Sequence, residues 1–327
     1  MAGERQLSVR AVQVAVVGGG PAGLTAAIAA ARSGARVVLL DENRSLGGQL
    51  RYRIAELPEL DSSSNRPPRL AKALIGEARD AGVDLRPGTV AWGLFADRVL
   101  AVAEGEESYH LEAEQIILAT GSTDLPVPFA GGSLPGVMTS RAIQILLHIH
   151  RVLPGRRFAV IGIGTEAEEV GRDIAAAGGQ VVVRIDPARH GTDLLAEGDD
   201  GVRAVTIAGE RYDVDAIIVA GGRQPDAQLA LMAECDAGYA PALGGIVPLR
   251  DADLRSSIPG IFVAGDGAGI CDVATAIAEG RLAGLSAAAT LGLLSAETLS
   301  AARSAYSNAV RDRAAIVDSL HAVRTHV

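Results

Sequence analysis

The opening of the chain alternates between apolar runs and a glycine-rich turn. An apolar run at Val12–Val17 precedes three glycines, an alanine-rich stretch follows, and a second apolar run covers Arg36–Leu40. This pattern predicts a strand, a tight turn, a helix and a second strand. Pro21 suits the first helical turn because its missing N–H would have no partner inside the helix, and Gly34 suits the helix end.

The spacing of the glycines predicts that this unit holds a dinucleotide. Gly18 allows the tight turn after the strand, Gly20 leaves room for a pyrophosphate, and Gly23 lets the helix lie against the strand. The phosphates would be bound by amides at the helix N-terminus. Asp41 ends the second strand 23 residues after Gly18 (41 minus 18), close to the offset of about 20 at which an acid meets the ribose hydroxyls. Glu42 is the fallback for that role.

The segments that follow predict further elements of the same half of the chain. They are a surface loop at Asp61–Arg69, a helix at Leu70–Asp80, a strand-like stretch at Val83–Leu94, a strand at Gln115–Ala119 and a proline-rich crossing at Asp124–Gly136. Trp92 and Phe95 are expected in the core rather than beside a cofactor.

A second copy of the opening pattern occupies Phe158–Asp186. Its Gly162, Gly164 and Ala167 correspond to Gly18, Gly20 and Gly23 of the first copy. After it we predict one loop, a hairpin and a strand at Ala216–Ala220, which is too little for a complete second dinucleotide domain. The predicted fold class is α/β, with a Rossmann-like flavin domain and an inserted, shortened second nucleotide-binding-type domain. The expected boundaries are 1–153, 154–222 and 223–327.

The last third of the chain returns to the first domain. Pro259–Gly269 predicts a buried strand that ends in a glycine-flanked acid, Asp266, followed by a helix at Val273–Leu291. A helical tail is expected from Ser295 to about Val323.

Composition narrows the possible functions. The net charge of -9 and the pI of about 5.2 argue against nucleic acid or an anionic membrane as the main partner. Cys235 and Cys271 form no CxxC pair, cannot supply the four thiolates of an iron-sulfur cluster, and suit a cytoplasmic location. The histidines show no metal spacing. Glycines interrupt the apolar stretch near the start, so it predicts neither a membrane span nor a signal peptide.

Four separated motifs carry a resemblance: GGGPAG with Asp41, GGQ at Gly47–Gln49, ATG at Ala119–Gly121 and AGD at Ala264–Asp266. In this order they resemble the flavoprotein reductases with two dinucleotide-binding domains, the pyridine nucleotide-disulphide oxidoreductase type. The resemblance implies FAD at the first site, with Asp41 at the adenosine ribose and Asp266 near the ribityl chain and pyrophosphate. The candidate cofactor-binding residues are Gly18, Gly20, Pro21, Ala22, Gly23, Asp41, Glu42, Gly48, Gln49, Val90, Ala119, Thr120, Gly121, Gly265 and Asp266.

Two longer strings, LATGSTDLPVPFAGGSLPGVMTS and ALGGIVPLRDADLRSSIPGIFVAGDGAGI, resemble the FAD subunits of opine oxidases, hydrogen cyanide synthase and heteromeric sarcosine or hydroxyproline dehydrogenases. The resemblance implies an FAD-dependent subunit of a heteromeric dehydrogenase or oxidase for an amine, imino acid or opine. The implied partners are an iron-sulfur subunit plus a second flavin subunit, with the substrate on a partner. Longer members carry a cysteine-rich C-terminal extension that is not present up to Val327, so we expect any cluster on a partner.

Two alternatives stay open. One is a free-standing NAD(P)H-dependent flavin reductase of the thioredoxin-reductase type, and the other is a non-catalytic FAD-binding assembly subunit. NAD(P) binding is doubtful because Glu166, Glu168 and Glu169 crowd the second glycine turn, where negative charge disfavours a pyrophosphate. The sequence identifies no catalytic acid or base. Cys271 at the start of the helix after AGD could have a lowered thiol pKa, but we expect a small buried apolar residue there. Arg51 and Arg53 could face a substrate carboxylate or a partner, but we expect exposed loop arginines.

Overall fold

The computed structural model describes residues 8–57, 60, 65–190 and 193–309. Its strands are β1 Ser8–Val17, β2 Val37–Asp41, β3 Asp84–Pro87, β4 Thr89–Phe95, β5 Val99–Glu104, β6 Glu107–Leu118, β7 Ser122–Asp124, β8 Val137–Thr139, β9 Arg157–Ile161, β10 Gln180–Ile185, β11 Leu194–Glu197, β12 Ala204–Ile207, β13 Glu210–Asp213, β14 Ala216–Val219, β15 Arg223–Pro225, β16 Ala237–Ala240, β17 Gly245–Pro248 and β18 Ile261–Val263.

The helices are α1 Pro21–Arg32, α2 Pro67–Asp80, α3 Ser140–Ile145, α4 Thr165–Ala176, α5 Pro187–His190, α6 Gln228–Met232, α7 Val273–Thr290 and α8 Ala296–Ala309. Short 3-10 turns lie at Gly48–Arg51, Ala96–Arg98, Pro241–Leu243 and Gly265–Ala268, and a π-helical turn at Leu146–His150 extends α3. Part of the predicted loop, 61–64, and the predicted helical tail beyond 309 lie outside the described residues. Within the described part of the chain, none of the helices has the length and apolar composition that a membrane crossing requires.

The chain divides into two compact units. The first comprises the described residues of 1–51, 56–122 and 224–327, and the second those of 52–55 and 123–223. The main crossing into the second unit therefore falls at 122/123 and differs from the predicted boundary at 153/154. The reason is that β8 pairs in parallel with β14, and Ile143 and Leu147 share a buried cluster with Phe158.

The first unit is built on one sheet with the strand order β3-β2-β1-β6-β5-β4, and β18 also pairs with β6. The strands β3, β2, β1, β6 and β18 are parallel, while β4 and β5 form an antiparallel extension. In β1, Val14 and Val16 enter one buried cluster and Ala15 and Val17 enter another. Because successive side chains of a strand point to opposite faces, this shows a sheet covered on both sides, as expected for a parallel α/β sheet.

Helix α7 packs directly on α1 through backbone contacts. A β-carbon at Gly280 would lie 2.1 Å from the carbonyl oxygen of Ala22, and one at Gly284 would lie 2.2 Å from that of Ala26. Only glycine allows two helix backbones to approach this closely. The glycines of α7 therefore fix the position of α1 in the first unit.

The second unit contains a four-stranded parallel sheet in the order β10-β9-β14-β8 and a three-stranded antiparallel sheet, β11-β12-β13. The predicted hairpin is β12–β13. The prediction of a single loop after Asp186 was wrong, because α5 lies in that stretch and Leu194–Glu197 forms β11 on the open edge of the hairpin. The sheet gains its fourth strand from β8, which precedes the second glycine turn in the sequence.

The packing of α7 on α1 predicts opposite effects for two similar substitutions. Gly284→Ala should lower the free energy of unfolding by about 1–3 kcal/mol, because its methyl group cannot be accommodated without moving α7 away from α1. Gly76→Ala in α2 meets no atom within 4 Å, so it should raise the free energy of unfolding by about 0.5–1 kcal/mol through better helix propensity. Denaturant unfolding of the two variants measures both values, and equal effects would contradict the packing argument.

Candidate functional site

The carboxyl ends of four parallel strands meet at one edge of the first unit's sheet. Val17 pairs with Leu40 and Leu118, and Leu118 pairs with Val263. The glycine turn, Asp41, the ATG motif and the AGD motif come directly at or after these strand ends. They therefore lie side by side at the edge where open α/β sheets bind ligands.

The first glycine turn is held by backbone contacts. Gly18 has φ +107°, and a β-carbon there would lie 2.1 Å from the carbonyl oxygen of Ala119. A β-carbon at Gly23 would lie 1.8 Å from the carbonyl oxygen of Gly18, so the helix can lie against the turn only with glycine there. Gly20 differs, because a β-carbon there would meet no atom within 4 Å. The space beside Gly20 is the cradle that a pyrophosphate would need.

The N-terminus of α1 opens on this space. Gly20 is its N-cap, no side chain caps it, Pro21 follows, and no acidic residue lies in the first turn. The amides of Ala22 and Gly23 belong to the first turn, where helical N–H groups have no partner within the helix. The helix dipole and these donors favour an anion at this end. The geometry therefore fits the phosphates of a dinucleotide.

Asp41 is buried, and its carboxylate organises the neighbouring loops. The Gly19 N–H donates to Oδ2 at 2.6 Å, and the Asn43 N–H donates to Oδ1 at 2.7 Å. A carboxylate has about four acceptor sites, so a ribose hydroxyl could be added. A β-carbon at Gly19 would lie 2.9 Å from Oδ2 of Asp41. A side chain at Gly19 would therefore displace Asp41, a contact that was not predicted from the sequence although Gly19 belongs to the run of three glycines.

The GGQ motif lies on the glycine turn. The Gly47 N–H donates to the carbonyl oxygen of Gly19 at 2.7 Å. Gly48 has φ +53°, and a β-carbon there would lie 2.9 Å from the α-carbon of Gly20. This close approach brings the next residue, Gln49, into the site.

Asp266 is the centre of a hydrogen-bond network. The Gln49 amide and the Ser122 hydroxyl both donate to its Oδ2 at 3.0 Å, and Gln49 also donates to Ser122 at 3.0 Å. The Cys271 N–H donates to Oδ1 at 3.1 Å. The structure thus brings the GGQ and AGD motifs together through Ser122. The sequence analysis missed Ser122, and its only signal was its place directly after ATG.

The ATG motif is fixed by the chain that returns to the first unit. The Thr120 hydroxyl donates to the carbonyl oxygen of Asp226 at 2.5 Å, and the Asp226 N–H donates to that of Gly121 at 2.9 Å. Gly121 has φ +82° and open space at the position of a β-carbon. A β-carbon at Gly267 would lie 2.8 Å from the Thr120 hydroxyl. The ATG and AGD loops therefore touch.

Two candidates lie at the margin of this group. Glu42 is exposed and directly follows Asp41. Val90 is in β4, two residues after Gly88, whose N–H donates to the carbonyl oxygen of Asn43 at 2.9 Å. Val90 is therefore near the loop after β2, and its side chain is 37% exposed. Its role in cofactor binding stays a prediction.

The expectation that Trp92 and Phe95 lie in the core was wrong. Each is 51% exposed, and their rings meet edge to face with centroids 6.2 Å apart. The physical reason is local: Trp92 is the unpaired residue of a bulge between Ala91 and Gly93, and Phe95 follows Leu94, whose side chain enters a buried cluster, so Phe95 points to the other face.

The second glycine turn has a similar backbone. A β-carbon at Gly162 would lie 2.0 Å from the carbonyl oxygen of Ala220. The corresponding distance in the first unit, from a β-carbon at Gly18 to the carbonyl oxygen of Ala119, is 2.1 Å. Its helix, α4, carries a buried alanine at the third position, Ala167, and two acids in its first turn. The second copy therefore repeats the turn but not the acid-free helix start.

The acids at the start of α4 have partners within the second unit. The Ser140 hydroxyl donates to Glu166, and the Arg53 guanidinium lies 3.3 Å from both carboxylate oxygens of Glu169. Arg53 was expected to be an exposed loop arginine, and this was wrong, since its side chain is 26% exposed and ion-paired. Arg51 is half-buried. The ion pair turns the Arg53 side chain toward Glu169 rather than toward solvent.

Tyr52 precedes Arg53 and is buried in the second unit. Burial raises the pKa of Tyr52 to about 12, because the phenolate loses its hydration; Arg141 opposes this shift and Asp124 adds to it. The phenol is therefore neutral over the physiological range.

The two cysteines have different surroundings. Cys235 is buried, and burial raises the pKa of its thiol. Cys271 is half-buried, and its thiol lies 3.5 Å from Oδ1 of Asp266. Cys271 was expected to be a buried apolar residue, but it lies two positions before α7 and contacts a carboxylate. Within the described residues, no group of His, Cys, Asp and Glu side chains has the arrangement of a metal site.

Two segments of the chain, residues 12–192 and 188–280, match the sequence profile of the pyridine nucleotide-disulphide oxidoreductase family. The chain belongs to this family. The predicted resemblance and the predicted class, an FAD-dependent oxidoreductase with a Rossmann-like fold, are confirmed at the level of the family.

Its relatives include an opine oxidase subunit of Rhizobium meliloti, which is 30% identical over 88% of this chain and 64% of its own length. The alpha subunit of sarcosine oxidase from Corynebacterium sp. (strain P-1) is 30% identical over 85% of this chain and 32% of its own length. The crystal structure of L-proline dehydrogenase from P. horikoshii superimposes with a TM-score of 0.81 at 25% identity, covering 93% of this chain and 60% of that chain. The chain thus spans only part of the length of these relatives.

The pKa of Tyr52 predicts how stability changes in alkali. The folded-state pKa of about 12 lies above the ordinary value of 10.0. The contribution of Tyr52 to the free energy of unfolding is therefore complete below pH 10 and is lost as the pH rises toward 12. Between these values the folded state binds the extra proton, and stability should fall by about 1.4 kcal/mol per pH unit from this group alone. The Tyr52→Phe variant should lack this component. Denaturant unfolding at pH 9 to 12 measures the difference, and parallel pH profiles would contradict the shift.

Proposed function

We propose that this chain is the FAD-binding subunit of a heteromeric dehydrogenase or oxidase acting on a secondary amine, an imino acid or an opine. FAD binding is supported mainly by the open N-terminus of α1, which has no acidic residue in its first turn and lies at the sheet edge with Asp41 and Asp266. The substrate class is supported by the relatives, which are named for opines, sarcosine and L-proline.

The residues present fit FAD. The amides of Ala22 and Gly23 would hold the pyrophosphate beside Gly20, and Asp41 would take the ribose hydroxyls. Asp266, held by Gln49 and Ser122, would contact the ribityl side. The bound flavin would supply two-electron redox chemistry, accepting electrons from the substrate and passing them to an acceptor. The residues of this chain would bind and orient the cofactor.

The partners that we propose follow from the relatives. The opine oxidase and sarcosine oxidase relatives are named as subunits of those enzymes, and we infer that this chain also works with others. A second flavin subunit would oxidise the amine or imino acid, and an iron-sulfur subunit would take part in electron transfer. The flavin of this chain would then relay electrons between chains.

The second unit favours this function over that of an NAD(P)H-dependent reductase. Glu166 and Glu168 place carboxylates in the first turn of α4, where a pyridine nucleotide would need its pyrophosphate bound, and Glu169 follows them. The Ser140 hydroxyl donates to Glu166, and Arg53 pairs with Glu169. We infer that this unit binds NAD(P)H weakly or not at all.

The cofactor proposal predicts the effect of a capping acid at Gly20. Gly20→Asp should leave the free energy of unfolding of the apoprotein unchanged or raise it by about 0.5–1 kcal/mol, because an aspartate caps α1 and suits its dipole. The same carboxylate would fill the pyrophosphate space and repel the phosphates. FAD affinity should therefore fall by at least about a hundredfold, since like charges in contact cost several kcal/mol.

The matched control is Arg66→Asp. Arg66 is the N-cap of α2 and makes no side-chain cap, so this variant places the same acid at another helix start. It should bind FAD like the wild type. Apoprotein reconstitution followed by flavin fluorescence gives both affinities, and mass spectrometry identifies the nucleotide that the wild type carries. A Gly20→Asp protein with unchanged FAD affinity, or a wild type that carries a different nucleotide, would refute the proposed site.

The proposed role predicts which reductant reduces the flavin. In an anaerobic titration followed by visible absorbance, stoichiometric NADH or NADPH should leave the flavin oxidised, because the second unit presents acids to the pyrophosphate. Reduction should require a co-purifying subunit together with a secondary amine, an imino acid or an opine.

Two results would change the conclusion. Rapid bleaching by NADH or NADPH would favour the free-standing reductase. Failure of reduction by any substrate in the assembled complex would favour an assembly subunit that binds FAD without turnover.

A further inference from the structure

An ion pair lies in the interior of the first unit. Arg250, two residues after β17, and Glu279, in the middle of α7, are 5% and 0% exposed. The guanidinium meets the carboxylate with both ends, at 2.8 Å between Nη1 and Oε2 and 2.5 Å between Nη2 and Oε1. Burying two charges is costly unless their geometry is good and their remaining polar atoms are also paired. The remaining polar atoms of Arg250 and Glu279 are therefore expected to have partners as well.

Both members of the pair bind the backbone at the end of β18. The Gly265 N–H donates to Oε2 of Glu279 at 2.7 Å, and Arg250 donates to the carbonyl oxygen of Val263 at 3.0 Å. The Tyr306 hydroxyl of α8 donates to Oε1 of Glu279 at 3.2 Å. The Arg250–Glu279 pair thus holds the chain on both sides of Ala264.

This segment leads directly into the proposed flavin site. Gly265 has φ +72°, and a β-carbon there would lie 2.7 Å from the β-carbon of Ala22 at the start of α1. Asp266 follows Gly265 and receives the hydrogen bonds of Gln49 and Ser122. Because Gly265 directly precedes Asp266, the hydrogen bond from the Gly265 N–H to Glu279 constrains the position of Asp266 relative to the start of α1.

We propose that Arg250 and Glu279 are positioning residues for the flavin site, which act by fixing the Gly265 amide and thereby the place of Asp266. Both residues are buried, and neither is among the proposed cofactor contacts. The inference rests on the proposed function in one respect, because it takes Asp266 as a flavin ligand. According to this proposal, a buried charge pair outside the four motifs influences the affinity for FAD and the absorption maximum and midpoint potential of the bound flavin.

Two double variants separate the hydrogen bond to Gly265 from the charges. Arg250→Gln with Glu279→Gln removes both charges but keeps an acceptor for the Gly265 N–H. Arg250→Met with Glu279→Met removes the charges and the acceptor. Neither variant leaves a single buried charge, which is the condition that most often prevents folding.

Two further variants complete the set. Leu282→Ala is the matched control, because Leu282 is buried in α7 and its truncation lowers stability without removing a partner of Gly265. Arg250→Lys keeps the charge but cannot make the forked contact. It tests the proposal even where the double methionine variant does not fold.

Hydrogen exchange of the apoprotein is the readout that needs no cofactor. Amide exchange in the peptide that spans 261–270 should accelerate in the double methionine variant and, to a smaller extent, in Arg250→Lys. It should stay at the wild-type rate in the double glutamine variant. An unchanged rate in both the methionine and lysine variants would overturn the proposal.

The second readout is the bound flavin. FAD should bind at least about tenfold more weakly to the double methionine variant than to the double glutamine variant, the scale expected for one unpaired buried amide. The visible absorption maximum and midpoint potential should shift in the same variant. Leu282→Ala should lower the melting temperature without these shifts; the same shifts there would show general loosening and overturn the proposal. A wild type that binds no FAD would refute the proposed function, while the exchange rates would still decide the role of the pair.

Discussion

The backbone contact between α1 and α7 is the constraint on which the rest of the first unit depends. At Gly280 and Gly284 the two helices approach so closely that a methyl group would overlap the carbonyl oxygens of α1. Glu279 directly precedes Gly280, so the same turn of α7 that meets α1 also presents a carboxylate to the end of β18. One helix thereby holds the start of α1 and the AGD loop in fixed relation. Because packed cores are rigid, this arrangement is preorganised for a ligand that needs both.

The strand edge explains why distant motifs form one site. Residues at the ends of β1, β2, β6 and β18 are aligned by the register of parallel pairing, which no side chain needs to enforce. The side chains then refine the loops that leave this edge, with Asp41 receiving Gly19 and Asp266 receiving Gln49 and Ser122. In the proposed FAD site, binding of the phosphates would therefore depend mainly on backbone amides and glycines, while Asp41 and Asp266 would provide the contacts to the ribose and ribityl groups.

Local signals were enough to predict much of this site from the sequence. The conformations of Gly18 and Gly23 and the helix start at Pro21 are set by backbone geometry within a few residues. Ser122 and the Arg250–Glu279 pair were missed because their partners are separated by long stretches of chain and have no local pattern. Trp92 was placed wrongly because the alternation of residues along a strand does not reveal a bulge such as the one between Ala91 and Gly93. The pairing of β8 with β14 could not be predicted either, because a strand of three residues is too short to show a pattern.

The two glycine turns show that backbone geometry alone does not make a dinucleotide site. Gly18 and Gly162 make nearly the same approach to the neighbouring strand end, since a β-carbon at either would lie 2.1 or 2.0 Å from its carbonyl oxygen. Beyond this point they differ in charge. The first helix begins without an acid, whereas the second begins with Glu166 and Glu168 and has Glu169 paired with Arg53. Carboxylates at the N-terminus of α4 are favoured by the same helix dipole that would favour a phosphate, and they repel a phosphate placed beside them. Negative charge therefore already occupies the helix start of the second unit, whereas the helix start of the first unit carries none.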